Sequence, residues 1–473
     1  MTVTNAGPAQ QGEHSCFWIT EALRDNPGEA APLTAEIKAD VCIVGGGYAG
    51  LWTAIHLKER SPDLDVVLVE RRLCGTGASG RNEGFLMSWW SKFPTLIKFI
   101  GPELALELCH HTEAIVISMA DFFEREGLDV HYRHSGWLWT ATNRAQMDAW
   151  RPTLDKLAEF GQHPFFELTA AELAERAGSK RFIGGVYEAS VATVQPAKLA
   201  RALRTVGLRR GVRIFERTEM TRLDRGSPSV VHTTNGAVSS PVVVIAMNAW
   251  GARVRELRRR LVVISTDAFV TRPLGERLPP ALAGGSGVTD SRRLILGFRA
   301  TKDGRIAASR SGGALTFGGR LGDRYEGPSP RVPEMLKYFH WTYPEFHDVD
   351  ATTSWRGPID YSVSGLPYIG PLGSAPGLFV AAGFSGNGIG PCYVAGESLA
   401  AQILGGKDVL KGSALTKPQP GALPPEPFRY VGGRIVRAAI ERKEAREDES
   451  RKPGPITAAL ARLDPTSFID RRR

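Results

Sequence analysis

A glycine pattern near the start of the chain has the spacing that holds a dinucleotide. The apolar run Val41–Val44 leads into glycines spaced as G-x-G-x-x-G. They are Gly45, Gly47 and Gly50. Such glycines allow a tight turn and a close backbone approach to a pyrophosphate, and the following helix offers its unpaired N–H groups to the anion. A second apolar run ends in Glu70, whose carboxylate can accept from both ribose hydroxyls and disfavours the 2′-phosphate of NADP.

Two further glycine-rich stretches suit a backbone that lies against a cofactor. Residues 73–84 read LCGTGASGRNEG, which is too rich in small residues for a helix interior. Residues 383–390 read GFSGNGIG, between the apolar run Leu378–Ala382 and a helix predicted from Tyr393 to Leu404. A glycine loop at a helix N-terminus favours the negative charge of a reduced flavin. The candidate cofactor-binding residues in these stretches are Gly77, Ser79, Arg81, Asn82, Gly383, Gly386, Asn387, Gly388 and Ile389.

The composition is that of a globular protein large enough for two domains. The chain has 473 residues, of which 42% are hydrophobic and 23% are charged. Its apolar runs are too short to cross a bilayer and its start lacks a signal-peptide pattern, so we predict a cytoplasmic protein without a transmembrane segment. The formal charge of +9 suits an anionic ligand, an acidic membrane surface or nucleic acid. Without any nucleic-acid fold signature, we predict no nucleic-acid partner.

The cysteines and histidines predict neither a disulfide framework nor a metal site. The five cysteines are scattered and form no C-x-x-C pair. The histidine pairs have no third ligand at metal spacing.

Apolar periodicity indicates which elements position the glycine loops. Helices are predicted over residues 102–123, 143–160 and 196–209, and a strand is predicted over residues 128–140. Residues 262–319 read as strands and turns, which suits an antiparallel sheet over a ligand. The chain ends in a charged helix, predicted over residues 432–448, and in a basic tail at 471–473. This helix could touch anionic lipid, although its alternating acids and bases favour a solvated or body-packed face.

Four motifs in order resemble one flavoprotein superfamily. GGGYAG at 45–50, GASGRNEG at 77–84, SGLPYIGPL at 364–372 and GFSGNGIG at 383–390 are similar to those of the FAD-dependent D-amino-acid oxidase, glycine oxidase and sarcosine oxidase superfamily. Within it, the chain resembles gamma-glutamylputrescine oxidase-like proteins and aminophosphonate oxidoreductases. That narrower resemblance rests on FW at 17–18, SWW at 88–90, GWLWT at 136–140 and PPEPFRYVGG at 424–433.

The resemblance implies an α/β fold in which a Rossmann-like FAD-binding domain is interrupted by a substrate domain of antiparallel sheet and helix. The FAD-binding domain would comprise residues 35–90, 190–255 and 354–406. The substrate domain would comprise residues 91–189 and 256–353, and residues 407–473 would form a C-terminal extension. Sarcosine oxidases attach flavin through a cysteine before the last glycine motif. Residues 355–358 read WRGP here, so we expect non-covalent FAD.

The implied reaction is oxidation of a C–N bond by hydride transfer to flavin N5, giving an imine, then a carbonyl and, with O2 as acceptor, H2O2. We expect a small amine that carries an anionic group, such as an amino acid or aminophosphonate. Arg299, Arg310 and Arg356 are the candidate anion anchors because guanidinium pairs well with carboxylate or phosphonate. The related motif reads GRNGG, whereas this chain has Glu83, which could hold an ammonium group, accept a proton or pair with an arginine. Lys302 is the nearby candidate for activating oxygen.

Several alternatives stay open. A gamma-glutamylputrescine-like polyamine derivative would call for an acidic pocket. A flavin dehydrogenase would pass its electrons to an acceptor other than O2. A flavin monooxygenase and a non-catalytic flavoprotein subunit are the remaining alternatives.

Overall fold

The computed structural model describes residues 16–322, 325–418 and 422–463. The basic tail at 471–473 lies outside these ranges. The strands, in chain order, are β1 (Glu36–Lys38), β2 (Val41–Val44), β3 (Val66–Val69), β4 (Phe85–Leu86), β5 (Trp137–Ala141), β6 (Phe165–Leu168), β7 (Gly184–Glu188), β8 (Ala192–Thr193), β9 (Arg213–Phe215), β10 (Met220–Asp224), β11 (Ser229–Thr233), β12 (Ala237–Ser240), β13 (Val242–Ile245), β14 (Leu261–Thr271), β15 (Gly287–Asp290), β16 (Leu296–Ala300), β17 (Ile306–Arg310), β18 (Ala351–Ser362), β19 (Tyr368–Pro371) and β20 (Leu378–Ala382). The α-helices are α1 (Phe17–Asp25), α2 (Tyr48–Arg60), α3 (Phe93–Ile100), α4 (Pro102–Glu126), α5 (Arg151–Ala158), α6 (Ala170–Ala177), α7 (Pro196–Arg209), α8 (Pro280–Ala283), α9 (Val332–Thr342), α10 (Ile389–Leu404), α11 (Phe428–Asp448) and α12 (Pro455–Ala461).

A six-stranded sheet carries the first and third glycine loops. Its order is β19-β20-β13-β2-β3-β9, and all neighbouring pairs are parallel except β19 with β20. Every residue of β2 and β3 is buried, as expected of apolar strands covered on both faces. A meander of β10, β11 and β12 pairs with β1 beside this sheet.

Helices α2 and α10 bring the two loops together. They begin directly after the first and third glycine loops, and their backbones touch. A Cβ atom on Gly396 would lie 2.6 Å from the carbonyl carbon of Trp52, so only glycine permits this approach. Because β2 and β20 both run parallel to β13, the helices that follow them begin at the same edge of the sheet.

An eight-stranded sheet covers the loops. Its order is β18-β14-β17-β16-β15-β5-β7-β6, and its pairs are antiparallel except β15 with β5. Side chains of one face, including Phe269 and Phe298, pack on Met335 and Phe339 of α9. The other face carries Trp355, which packs with Trp18 of α1. The α/β fold predicted from the sequence is thereby confirmed.

Strand β18 bears on the predicted domain division. It pairs with β14 from Ala351 to Ser362, so residues 354–362 belong to the eight-stranded sheet, although the prediction assigned them to the FAD-binding domain. The sequence of such a strand does not indicate which other strand it will pair with.

Several predicted boundaries also move. The strand predicted over 128–140 is confined to β5, because Gly136 has a φ of +76° and a Cβ atom there would meet the Tyr187 ring. The helix predicted over 143–160 is confined to α5, whose first turn contains Pro152. Helices α10 and α11 each begin four residues earlier than predicted.

Candidate active site

The first glycine loop presents bare backbone at the start of α2. Gly45 has a φ of +116°, and a Cβ atom there would lie 2.3 Å from the carbonyl oxygen of Ala246. A Cβ atom on Gly50 would lie 2.0 Å from the carbonyl oxygen of Gly45, and one on Gly47 would lie 2.9 Å from the Ser79 hydroxyl oxygen. Side chains are excluded at all three positions, which allows a phosphate to approach the backbone at the start of α2 closely.

Glu70 lies at the mouth of this loop. Its Oε2 accepts from the Gly46 N–H at 2.7 Å and its Oε1 accepts from the Arg72 N–H at 2.9 Å. Burial raises the pKa of Glu70, while these two N–H groups and Arg71 favour its charged form. Each oxygen keeps a second lone pair, so the carboxylate can still accept from ribose hydroxyls.

The second loop is held against the first by its own polar side chains. The Tyr48 N–H donates to Ser79 Oγ at 3.0 Å. Asn82 donates Nδ2 to the carbonyl oxygens of Ala78 and Ser79 and accepts from the Gly84 N–H at 2.7 Å.

Arg81 also supports this loop from within the protein. It is buried and donates to the carbonyl oxygens of Thr76 at 2.9 Å and Glu326 at 2.7 Å. These contacts direct several donors of Arg81 and Asn82 to backbone carbonyls, and the donation of the two side chains toward the cofactor stays a prediction. Gly77 of the same loop lies near the ring of Trp250, which would be 3.8 Å from a Cβ atom.

The third loop depends on a carboxylate that sequence reasoning missed. Asp360 of β18 is fully buried; its Oδ2 accepts from the Gly383 N–H and its Oδ1 accepts from Asn248 Nδ2 at 3.0 Å. Burial raises the pKa of Asp360 to about 7, partly offset by its N–H donors. The sequence signal was an acid within the otherwise strand-like run at 351–362.

Asn387 and the start of α10 form the part of this loop that fits a flavin. Gly386 has a φ of +89°, and α10 begins at Ile389 with Gly388 as its N-cap. The Oδ1 atom of Asn387 is buried and has no hydrogen-bond partner among the described residues. A buried acceptor beside helix N–H donors suits the alternating carbonyl and N–H groups of a flavin edge. The residues present therefore fit FAD.

The segment at 83–87, which follows the second loop and contains β4, contacts both α10 and the eight-stranded sheet. A Cβ atom on Gly390 would lie 2.8 Å from the carbonyl oxygen of Met87, and one on Gly287 of β15 would lie 2.6 Å from the ring of Phe85. Residues 83–87 thus run between the start of α10 and the inner face of the eight-stranded sheet, by which we mean the face that carries Trp355.

Glu83 is the buried acidic residue of this segment. Both of its carboxylate oxygens are buried and neither accepts a hydrogen bond from the described residues. Burial raises its pKa to about 7, against the opposing effects of the Arg299 charge and the Ser309 hydroxyl. A buried carboxyl without donors is costly, so this position is poised to bind a cation or a proton.

Arg299 stands beside Glu83 and directs its Nη1 to backbone carbonyls, while its buried Nε has no hydrogen-bond partner among the described residues. Its Nη1 donates to the carbonyl oxygens of Glu83 at 2.8 Å and Val194 at 2.7 Å, and its guanidinium lies 5.2 Å from the Trp18 ring centre. Burial lowers its pKa to about 10. Arg299 therefore supports the backbone of residues 83–84.

The structure does not bring the other predicted catalytic residues to Glu83. Arg356 and Arg310 follow inward-facing residues of β18 and β17, so their side chains point to the α9 face. Arg356 Nε donates to Asp267 at 3.1 Å, and Arg310 forms an ion pair with Glu334 of α9 at 2.8 Å. Sequence spacing could not reveal which face they occupy.

Lys302 lies on a surface turn. Its side chain is 53% exposed and pairs with Asp129 at 3.0 Å. This position gives no support to a role in activating oxygen.

The inner face offers further groups that sequence reasoning assigned no role or left as core. Trp137 and Trp139 stack at 5.7 Å, and Trp137 Nε1 donates to Thr289 at 2.9 Å. Glu188 is fully buried; its Oε1 accepts from Ser88 and Ser190, and burial raises its pKa to about 7. Only strand register places these residues together, because Glu188 pairs with Trp137 across β7 and β5.

Known proteins with this sequence pattern and fold are flavoenzymes. Residues 40–402 match the DAO family, described as FAD dependent oxidoreductase. The chain is 30% identical over 430 residues to gamma-glutamylputrescine oxidoreductase of Escherichia coli K12, covering 90% of this chain and 95% of that protein. It is 27% identical over 365 residues to glycine oxidase of Geobacillus kaustophilus, covering 74% and 89% of the two chains.

Two solved structures share this fold. The crystal structure of glycine oxidase from Geobacillus kaustophilus superimposes with a TM-score of 0.64 at 26% identity, covering 77% of this chain and 94% of that one. L-amino acid deaminase from Proteus vulgaris shares the fold, with a TM-score of 0.65 at 21% identity over 87% of this chain and 98% of that one. The chain therefore belongs to the DAO family of FAD-dependent oxidoreductases, enzymes that act on amines or amino acids.

Proposed function

We propose that this enzyme oxidises the C–N bond of a small cationic amine, of the polyamine-derivative class to which gamma-glutamylputrescine belongs. The observation that carries the proposal is the buried carboxylate of Glu83, whose oxygens accept no hydrogen bond of normal geometry from the described residues and have the Ser309 hydroxyl and the Arg299 charge nearby. A substrate ammonium group would supply hydrogen-bond donors to these oxygens and a positive charge in addition to that of Arg299. The 30% identity to gamma-glutamylputrescine oxidoreductase over most of both chains supports the same substrate class.

The expected anchor for an anionic substrate finds no such support. Arg299 donates to backbone carbonyls, Arg310 pairs with Glu334, and Arg356 pairs with Asp267. An amino acid or aminophosphonate would have to compete for guanidinium groups that already have partners. Glu83 would be the acidic group that a pocket for a polyamine derivative calls for.

Glu83 would perform two tasks in sequence. Its carboxylate first binds the substrate ammonium group and then takes one proton from it, which leaves a neutral amine with a free electron pair. Bound FAD would supply the two-electron oxidation of the carbon beside that nitrogen, with O2, which would give H2O2, or another compound as the final electron acceptor. The resulting iminium ion takes up water and releases ammonium and an aldehyde, so the atoms and charges balance.

The rest of the site would hold FAD and exclude water. The glycine turn at 45–50 and Glu70 would bind the pyrophosphate and the adenosine ribose, and Asn387 with the start of α10 would contact the flavin. We propose that FAD is non-covalent, since residues 355–358 contain no cysteine. Acid precipitation should release yellow flavin into the supernatant, and flavin that stays in the pellet would contradict this point.

The test is the visible spectrum of the purified holoenzyme without oxygen. Gamma-glutamylputrescine, putrescine, glycine, sarcosine and 2-aminoethylphosphonate are added separately, and air is then admitted. We expect bleaching by gamma-glutamylputrescine or putrescine at concentrations at which the other three leave the spectrum unchanged. Recolouring with stoichiometric H2O2 would identify an oxidase, and slow recolouring a dehydrogenase. Bleaching only by glycine, sarcosine or the phosphonate would refute the cationic substrate.

A further inference from the structure

An exposed apolar row lies on the C-terminal helix α11, away from the groups discussed above. Phe428, Val431 and Ile435 are 71%, 51% and 48% exposed. Their spacing of three and four residues places them in one line on the outer side of the helix. Ala439, one turn beyond Ile435 on the same line, is buried, so the exposed row is confined to the first half of the helix. Ile440 and Glu444 on the opposite side are also buried.

Exposed arginines lie on α11 and on a segment that adjoins its beginning. The segment at 253–260 reads RVRELRRR, and Arg253, Arg255 and Arg258 in it are exposed. This segment adjoins the beginning of α11, because Arg429 donates Nη1 to the carbonyl oxygen of Arg258 at 2.6 Å. Arg434 is exposed on α11 itself.

The segment at 315–320 adds to the same surface. Phe317 is 42% exposed and its ring lies 5.6 Å from that of Tyr430 on α11. Arg320, three residues later, is also exposed. Three segments that are distant in the chain thus adjoin one another and together expose apolar side chains and arginines.

The acidic groups of this surface already have partners. Glu256 accepts two hydrogen bonds from Arg225, and its pKa is lowered by that arginine. Glu426 accepts from Arg429 and from the Gly318 N–H. The surface therefore presents positive charge.

We propose that this surface, formed by 253–260, 315–320 and the first half of α11, docks on an anionic lipid bilayer. The apolar side chains would enter the boundary between headgroups and acyl chains while the arginines bind lipid phosphates, which is how an amphipathic helix lies in a membrane interface. A bilayer is favoured as the occupant because exposed apolar side chains lie among exposed arginines, and an anionic bilayer offers an apolar interior beneath phosphate groups that pair with guanidinium. No helix in the described part of the chain is long and apolar enough to cross a membrane, so the contact would be peripheral.

The test is sedimentation of the FAD-loaded protein with vesicles of 30% phosphatidylglycerol in phosphatidylcholine, compared with phosphatidylcholine alone. Wild-type protein should pellet with the anionic vesicles, and less so at 0.5 M NaCl. The triple variant R253Q/R255Q/R258Q should bind roughly a hundredfold more weakly, about fivefold for each arginine. Its matched control is K98Q/K180Q/K337Q, which removes three exposed charges elsewhere and should bind as wild type does.

A second pair of variants tests the apolar row. Phe428→Ser with Ile435→Ser should weaken binding at least tenfold, whereas Ile117→Ser with Phe166→Ser, which are equally exposed on other elements, should not. Retained flavin absorbance verifies that each variant is folded. Equal binding to both vesicle types, or equal binding of test and control variants, would overturn the proposal. A dimer in solution that disappears in the Phe428 and Ile435 variant, without vesicle binding by wild type, would show instead an interface between copies and would equally overturn it.

Discussion

Replacing Glu83 with glutamine should weaken the use of a cationic substrate and abolish one feature of its pH dependence. The substitution keeps the shape of the side chain but removes its charge and its ability to take a proton. An ammonium and a carboxylate about 4 Å apart attract by about 4 kcal/mol at an effective dielectric constant of about 20, and a charge-assisted hydrogen bond contributes about 1.5–3 kcal/mol net. The net figure corresponds to a fall in kcat/KM of roughly 10- to 150-fold.

The pH profile gives the sharper readout. Burial raises the pKa of Glu83 to about 7, so the free enzyme carries the charged carboxylate only above that pH. The kcat/KM of wild type should rise through about pH 7 and then level off, because this ratio reports the ionisations of the free enzyme. The Glu83→Gln variant should lack this rise, since its amide does not titrate.

Glu188→Gln is the matched control. Glu188 is also a buried carboxyl whose pKa is raised to about 7, but Ser88 and Ser190 donate to it. Its variant should keep the rise in kcat/KM. The assay is initial-rate kinetics from pH 5.5 to 9, with flavin content verified for each protein. An unchanged kcat/KM and an unchanged pH profile in Glu83→Gln would refute the assigned role.

Three further substitutions test the framework of the site. Gly396→Val should separate α2 from α10 and abolish FAD retention, because the Cβ atom would lie 2.6 Å from backbone, while Gly432→Val in open space on α11 should retain FAD. Above pH 7, where the Asp360 carboxyl is charged, Asp360→Asn should weaken FAD binding about tenfold in a fluorescence titration, since the Gly383 N–H loses a charged acceptor, whereas exposed Asp350→Asn should not. The folded-state pKa of Glu188 lies above its unfolded value of 4.5, so folding binds a proton between about pH 4.5 and 7, and this carboxyl reduces stability as pH rises through that window. As the pH is raised from 4.5 to 7.5, the free energy of unfolding of Glu188→Gln, measured by urea denaturation, should therefore rise by up to about 3 kcal/mol relative to that of wild type. A flavin affinity in Asp360→Asn equal to that of wild type, or a pH-independent difference for Glu188→Gln, would contradict these expectations.

The sequence predicted the parts of the site that depend on residues close together in the chain. The run from Val41 to Glu70 sets its own conformation, because buried β-branched residues, a glycine turn and a helix follow one another within thirty positions. The same holds for the loop at 383–390 between β20 and α10. Fold class and cofactor follow from these local units, and both predictions are confirmed by the fold and the family.

The partners of individual side chains could not be predicted from the sequence in the same way. Arg299, Arg310 and Arg356 look equivalent in the sequence as strand arginines. The pleat puts Arg299 on the inner face against the backbone of residues 83–84 and the other two on the α9 face with acids. A shift of one residue in register would exchange these faces, and register is fixed by partners far away in the chain.

The sequence by itself thus determined a dinucleotide-binding α/β fold with three glycine loops, since backbone conformation there is set by short-range sterics. Only the tertiary structure decided that Glu83 is buried and accepts no hydrogen bond from the described residues, that Asp360 accepts from the Gly383 N–H, and that Arg81 donates to backbone carbonyls. These outcomes depend on which groups exclude water from one another, and desolvation is a property of the packed protein rather than of any local segment.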